Sequence, residues 1–362
     1  MQFGLIPQSP QEMAALTQSP HIRVLLEPFL PMVTSRALMA FVRLGLPTVL
    51  AKKCWTSSEL SAELGLREEA LSHLLRVLVV AGYVATSDEG ASSAQGSTEQ
   101  ARRERQYTLS SLSRRTLLDG SQEQLDAWVL HNEIHWRVIS ELEESLALDG
   151  RRDLHRHLES DQEWAVYQRA MLQTARPVAE AVAQLVPVPS TNWLVLDLGG
   201  SHGLYGAAIA RRFAPMRCRV IDLPEALPSA RNLGEAESIS DYVDYEEGDL
   251  LEMDLGEAVC DIVFMGNIVH HFTEEEAKEL YSRVHRALRP GGVVTIWDMA
   301  PPSKFSQPDL VTEAFSLLFY LSSASSVRTP ESHARALGAV GFNRAAIHEG
   351  LSPTHTLVTA LR

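Results

Sequence analysis

A chain of 362 residues, 45% hydrophobic and 22% charged, is long enough for two hydrophobic cores and has the composition of a globular protein. Its formal net charge of −14 argues against nucleic acid as the main partner, because phosphate binding draws on clustered Lys and Arg. Cys54, Cys218 and Cys260 stand far apart, which excludes a disulfide scaffold or zinc knuckle and fits free thiols in a reducing cytoplasm. The opening Met-Gln-Phe-Gly-Leu-Ile-Pro has no basic region followed by a long apolar run, and no stretch reads as long as a transmembrane helix. Neither a leader nor a membrane partner is expected.

From Ser35 to Leu117 the chain reads as helices followed by a short hairpin. Thr56 and Glu59 form a capping-box signature, and Gly65 is placed to stop the helix that follows. Leu71, Leu74, Leu75 and Leu78 then share one helical face, ended by Gly82. Tyr83-Val84-Ala85, a polar stretch from Ser87 to Arg105, and Gln106–Leu109 complete the order helix, turn, helix, strand, wing, strand. That order is a winged-helix pattern, and residues 1–118 are expected to form one domain. Residues 119–186 read as a helical linker carrying Trp128, Trp136, Trp164, Tyr167 and Met171. Pro187-Val-Pro-Ser190 punctuates the chain, and strands alternate with helices over 187–362, which predicts an α/β domain with a mostly parallel sheet. Strands are expected at Trp193–Leu198, Cys218–Asp222, Tyr242–Glu246, Asp261–Met265 and Gly292–Trp297, with an antiparallel Thr356–Leu361 at the end.

The most informative segment is Leu194-Val-Leu-Asp-Leu-Gly-Gly-Ser-His-Gly203, an apolar strand running through a Gly-rich turn into a helical pattern. Gly199, Gly200 and Gly203 let the backbone turn sharply and approach a ligand closely. A dinucleotide would require GxGxxG, but Ser201 stands where the second glycine of the GxG is needed. An aminoacyl sulfonium brings cationic groups instead, and Asp197 at the strand end supplies an acid for them. Asp222 closes the second strand and is suited to the ribose hydroxyls, while Gly248-Asp249-Leu250 follows the third. In isolation Asp197 reads as a loop-capping acid and Asp249 as a turn residue; their joint order favours the cofactor reading.

On these residues the sequence resembles the caffeate and acetylserotonin type of O-methyltransferase, with its bacterial natural-product relatives. Asp197-Leu-Gly-Gly-Ser-His-Gly203 resembles that family's DxGGGxG loop, Asp222-Leu223-Pro224 its ribose motif, and Gly248-Asp249-Leu250 its adenine-side motif. Asn267-Ile-Val-His-His-Phe272, followed by Thr-Glu-Glu-Glu276, resembles WxLHDW-[ST]-[DE]-[DE], and Leu288-Arg-Pro-Gly-Gly292 the LxPGG turn. The resemblance covers the whole chain. It implies a Rossmann-like class I methyltransferase sheet, an N-terminal mostly helical winged-helix dimerisation domain, S-adenosyl-L-methionine as cofactor, and a homodimer. It also implies that His270 is the catalytic base. Two departures stand out: His271 replaces the usual Asp, and one of the two acids that support the base falls on Asp298 whereas the other falls on Val327.

A phenol of pKa about 10 must lose its proton before methyl transfer, which is the work of a general base. His270 precedes a helix beginning near Thr273, whose positive end disfavours imidazolium, while Glu274 to Glu276 push the other way. His270 is assigned as base and Asp298 as the group that orients it. Taken alone, His270 also reads as a helix-entry residue. Tyr167 and Met171 read equally as core or as acceptor pocket, His271 as pocket wall or solvent-facing, and Phe315, Leu318 and Phe319 as pocket roof or dimer contact; Trp128 and His131 are secondary. No metal site is expected, since neighbouring side chains of an extended pair point apart and would need a distant partner such as His333.

The function expected is methyl transfer to a hydroxyl of a small aromatic or polyketide-like acceptor in the cytoplasm. Alternatives are C- or N-methylation, for example of an α-keto acid, and a family member with non-methylating chemistry. A different class is a winged-helix DNA-binding regulator, but its second helix offers only Arg67, His73 and Arg76 against Glu68 and Glu69.

Overall fold

The computed structural model describes residues 5–7, 9–19, 21–86, 105–121, 123–147, 158–300 and 309–362. They form two compact units, Phe3–Glu133 and Ile134–Arg362, so the division falls inside the helix Asp126–Ser140.

In the first unit Thr56 and Glu59 form the reciprocal capping box that starts helix Ser57–Leu64, and Gly65 ends it in the left-handed conformation. Helix Glu68–Val80 turns Leu71, Leu75 and Leu78 inward. They pack with Phe41, Leu46, Leu50, Leu60 and Tyr107 in one core. Strands β1 (Trp55–Thr56), β2 (Val84–Thr86) and β3 (Gln106–Leu109) form an antiparallel sheet in the order β1-β3-β2. The expected wing tip lies outside the described residues. One expectation needs correction here. The nearly continuous helical run His21–Arg43 spans 23 residues with a mean hydropathy of 1.3 in its most apolar window, so it is long and apolar enough to cross a membrane by length and composition. In the sequence Arg23, Glu27, Arg36 and Arg43 punctuate the run and Pro28 interrupts it, so no unbroken apolar stretch is visible there.

The second unit is built on a seven-stranded sheet of β4 (Leu194–Leu198), β5 (Arg217–Asp222), β6 (Val243–Glu247), β7 (Cys260–Gly266), β8 (Leu288–Met299), β9 (Asn343–His348) and β10 (His355–Leu361). Its order is β6-β5-β4-β7-β8-β10-β9; β4 to β8 run parallel, and β10 is antiparallel to both neighbours. Alternation along each strand feeds two cores. Val195, Ile262 and Phe264 face one layer of helices, while Leu196, Leu198, Val263 and Met265 face the other. Each buried Val, Leu or Ile contributes about 1.5–3 kcal/mol by leaving water, before conformational entropy is subtracted. Strand order reverses at β4, with β5 and β6 on one side and β7 and β8 on the other. That reversal opens a crevice at the carboxyl ends of the strands.

Strand β9 was not expected. Asn343-Arg-Ala-Ala-Ile-His348 shows no alternation and is almost wholly exposed, as suits an edge strand held by pairing with β10 rather than by burial.

Candidate active site

The crevice holds a cavity of about 400 Å³. Asp197, 1% exposed and the last residue but one of β4, is part of its lining. One carboxylate oxygen accepts the Gly206 amide at 3.1 Å, and the other has no hydrogen-bond partner. Burial, reinforced by nearby Asp222 and only partly offset by that amide, pushes its pKa up to about 7. A Cβ on Gly200 would sit 2.5 Å from the Asp197 carboxyl carbon, so glycine there makes room for the acid.

The loop then turns through left-handed Gly199 (φ 64°) and Gly203 (φ 77°), and Ser201 between them is left-handed as well, at φ 52°. Ser201 bears that conformation with two ties. Its amide donates to Asp222 at 2.8 Å, and its hydroxyl donates to the side-chain carbonyl of buried Gln168. The second Asp222 oxygen accepts the Leu223 amide at 2.8 Å. His202 accepts the Leu204 amide on Nδ1 at 3.0 Å, which leaves Nε2 to carry the proton. Burial holds its pKa down at about 3.

On the other side of the crevice, Asn267 follows β7 in a left-handed conformation and accepts a hydrogen bond from His355 at 2.9 Å. A 3-10 turn, Val269–His271, comes next. The Nδ1 of His270 lies 2.5 Å from Asp298, whose other oxygen accepts the His270 amide at 3.1 Å. Burial would push the Asp298 carboxyl up. The charge and hydrogen bond of His270, with His333 and the Met299 amide, overcome this and hold it below the usual carboxylate range. Phe319 stacks on the His270 ring, centroids 3.9 Å apart and planes 13° from parallel. His271 meets the Ser323 hydroxyl through Nδ1 at 2.9 Å. Arg328 clamps the turn from behind, donating to the carbonyls of Val269 (2.7 Å) and Phe272.

Comparison with known proteins identifies the family. Residues 145–343 match the family model of the O-methyltransferase domain, and residues 27–119 that of the O-methyltransferase dimerisation domain. The chain belongs to this O-methyltransferase family. It is 33% identical over 103 residues to a tetracenomycin polyketide synthesis 8-O-methyl transferase of Streptomyces glaucescens (28% of this chain, 30% of the relative). It is 29% identical over 162 residues to acetylserotonin O-methyltransferase of Bos taurus, covering 45% of each. The match therefore spans less than half the length of either relative. Among solved structures, human N-acetylserotonin methyltransferase in complex with SAM superposes with a TM-score of 0.77 at 17% identity, covering 99% of both chains. Mitomycin 7-O-methyltransferase gives 0.77 at 20% identity, covering 97% of this chain and 99% of that one. At these identities the structural likeness speaks for the fold.

In this O-methyltransferase chain Asp197, Gly199, Gly200, Ser201, Asp222 and Leu223 line the cavity, as do Asp249, Leu250 and Asn267. Gly203 does not; it caps the helix Leu204–Arg212. Tyr167, Met171 and His271 line the cavity, whereas His270, Asp298 and Phe319 stand just behind that wall. Trp128 and His131 belong to the first unit, their rings 5.7 Å apart. Residues missed in the sequence include Gln168, His202, Tyr205, Phe272 and Ser323. His202 sits inside the Gly-rich motif and could have been read from it; a Gln in mid-helix carries no comparable signal. No group of His, Cys, Asp and Glu suited to a metal ion occurs among the described residues.

Proposed function

We propose that the chain is an S-adenosylmethionine-dependent O-methyltransferase acting on a hydroxyl of a small aromatic or polyketide-like molecule. The observation that carries this reading is the buried, half-unpartnered carboxylate of Asp197 beneath the Gly-rich turn, a site built for a cation. Asp222, steadied by two amides, suits a ribose diol, and Asp249 lies further along the same wall. The described cavity wall carries three carboxylates and neither Lys nor Arg, which disfavours a pyrophosphate-bearing dinucleotide. When bound, the sulfonium supplies an electrophilic methyl group.

The chain's own part is to position the acceptor and take its proton. The family's base falls on His270. With Nδ1–H directed at Asp298, a neutral ring carries its lone pair on Nε2. The stacked Phe319 covers a face of that ring, whereas the lone pair lies in the ring plane. Helix Asp161–Ala175 contributes Trp164, Tyr167 and Met171 to the cavity lining, which also holds His271 and Phe272. A second reading, in which His271 takes the proton, is favoured by one observation: His271 lines the cavity and His270 does not.

The dimerisation-domain match and the exposed Val24, Leu25, Phe29, Leu30 and Met32 support a homodimer, testable by light scattering, rather than a membrane span or a DNA-bound regulator. Three unpaired cysteines support a cytoplasmic location. Calorimetric titration with S-adenosylhomocysteine, with NAD as control, tests the cofactor. Binding of the first alone is expected; binding of neither by folded protein overturns the reading.

A further inference from the structure

We infer that Ser201 and Gln168 form a latch that couples the cofactor loop to the acceptor-side helix. Both are positioning residues. The inference rests on the cofactor reading above.

Ser201 stands where a glycine would be the natural choice. Its φ of 52° lies in the left-handed region that serine rarely adopts, and a side chain there needs a compensating contact. That contact is the hydroxyl's bond to the Gln168 carbonyl. Gln168 is 1% exposed in the middle of helix Asp161–Ala175, whose Tyr167 and Met171 line the acceptor end of the cavity. The backbone of the same serine donates to Asp222 at 2.8 Å, the acid placed for the ribose. One residue thus touches the cofactor end through its amide and the acceptor wall through its hydroxyl.

The next residue anchors the loop from behind. His202 accepts the Leu204 amide at 3.0 Å and has its own carbonyl bonded by Tyr245 at 2.9 Å. The loop is therefore fastened to the helix through Ser201 and to β6 behind. The tie to the helix leaves from the segment that a cofactor must press against. A ligand that orders residues 199–203 biases the position of helix 161–175 as well, which is a coupling between two sites carried by identified bonds. Cofactor bound first then presents Tyr167 and Met171 in place for the acceptor.

The test is amide hydrogen exchange with and without saturating S-adenosylhomocysteine on the full chain, for wild type, Ser201→Ala, Ser201→Gly and Gln168→Met. In wild type the ligand is expected to slow exchange in both the 199–204 loop and the 161–175 helix. In each variant the loop protection persists, while helix protection falls by about two- to tenfold, the equilibrium equivalent of one hydrogen bond. Ser201→Ala and Ser201→Gly behave alike, because both lack the hydroxyl although only alanine keeps the backbone strain. The double variant Ser201→Ala/Gln168→Met loses no more than either single one. Helix protection that survives in the variants, or is missing in wild type while the loop is protected, overturns the latch alone. No protection anywhere in wild type overturns the cofactor reading beneath it.

Discussion

The two ends of the cavity are built on opposite electrostatic plans. Asp197, Asp222 and Asp249 come from β4, β5 and the loop after β6, and backbone amides hold the first two in place, from the first turn of helix Leu204–Arg212 and from residues 201 and 223. The other described lining residues include Trp164, Tyr167, Met171, His271, Phe272 and Ser323, none of them a carboxylate. Asp298 is turned away behind His270. The carboxylates are thereby set apart by charge from the apolar and His271-bearing part of the lining, the part that the proposed function assigns to the acceptor. An acid at position 271, as the family usually has, would blur that division.

The largest effect expected separates the two histidines. His270→Ala should lower kcat by about 10²–10⁴, the usual value of a general base, with S-adenosylhomocysteine affinity unchanged. His271→Ala should mainly raise KM and leave kcat within about tenfold, as for a group that binds rather than reacts. Steady-state kinetics on any acceptor found by screening decides this, and the reverse pattern would transfer the base to His271. Asp298→Ala comes next: it leaves His270 and two backbone amides without their buried partner. Denaturant unfolding should show a loss of about 3–5 kcal/mol, the cost of breaking a buried pair from one side. A loss under about 1 kcal/mol would mean that the pair is solvated and that the cavity's neutral end is wetter than its lining suggests.

The charged end was the more legible one in the sequence. β4 and β7 are short, mostly apolar runs and β5 an alternating one, and Asp197, Asp222 and the glycines sit at or near their ends, so strand pattern and chemistry point to one place. The neutral end is assembled from separate segments: helix 161–175, the 3-10 turn after β7, and helix Leu310–Ser323. No local pattern says that Phe319 stacks on His270 or that Ser323 meets His271 across 52 residues. Nor could periodicity place Gln168 against Ser201, since polar residues in mid-helix read as solvent-facing until the loop arrives. Edge strand β9 escaped for a different reason, because its residues are chosen by exposure and not by burial.

The packing behind the charged end gives the third prediction. A Cβ on Gly206 would collide with the buried Cys218 sulfur and lie 2.8 Å from an Asp197 oxygen. Gly206→Ala should therefore destabilise by about 1–3 kcal/mol, as overpacking does. Gly338→Ala, in helix Pro330–Ala339, meets nothing within 4 Å and should be neutral or stabilising by up to about 1 kcal/mol. Equal midpoints in denaturant for the two variants would show that the floor beneath Asp197 is loose.

The smallest effect concerns the proton on Asp197. Its folded pKa, raised to about 7 by burial, exceeds the unfolded value of about 3.9. Its contribution to stability is therefore full at acid pH and is lost as pH rises through 7, because ionising it inside the apo protein is costly. A cationic ligand would reverse that preference. If the ammonium group of S-adenosylhomocysteine pairs with the ionised carboxylate, binding below pH 7 must first expel a proton, while above it none remains to expel. Ionised fractions of about one-eleventh at pH 6 and ten-elevenths at pH 8 predict an affinity about tenfold tighter at pH 8, or about 1.4 kcal/mol more ligand stabilisation. The same titration should release close to one proton per ligand at pH 6, seen as a dependence of the measured heat on buffer ionisation enthalpy. Asp197→Asn should bind more weakly and lose the pH dependence altogether. An affinity independent of pH in the wild type would place the ligand's cation away from Asp197, and the division between a charged and a neutral end would lose its anchor.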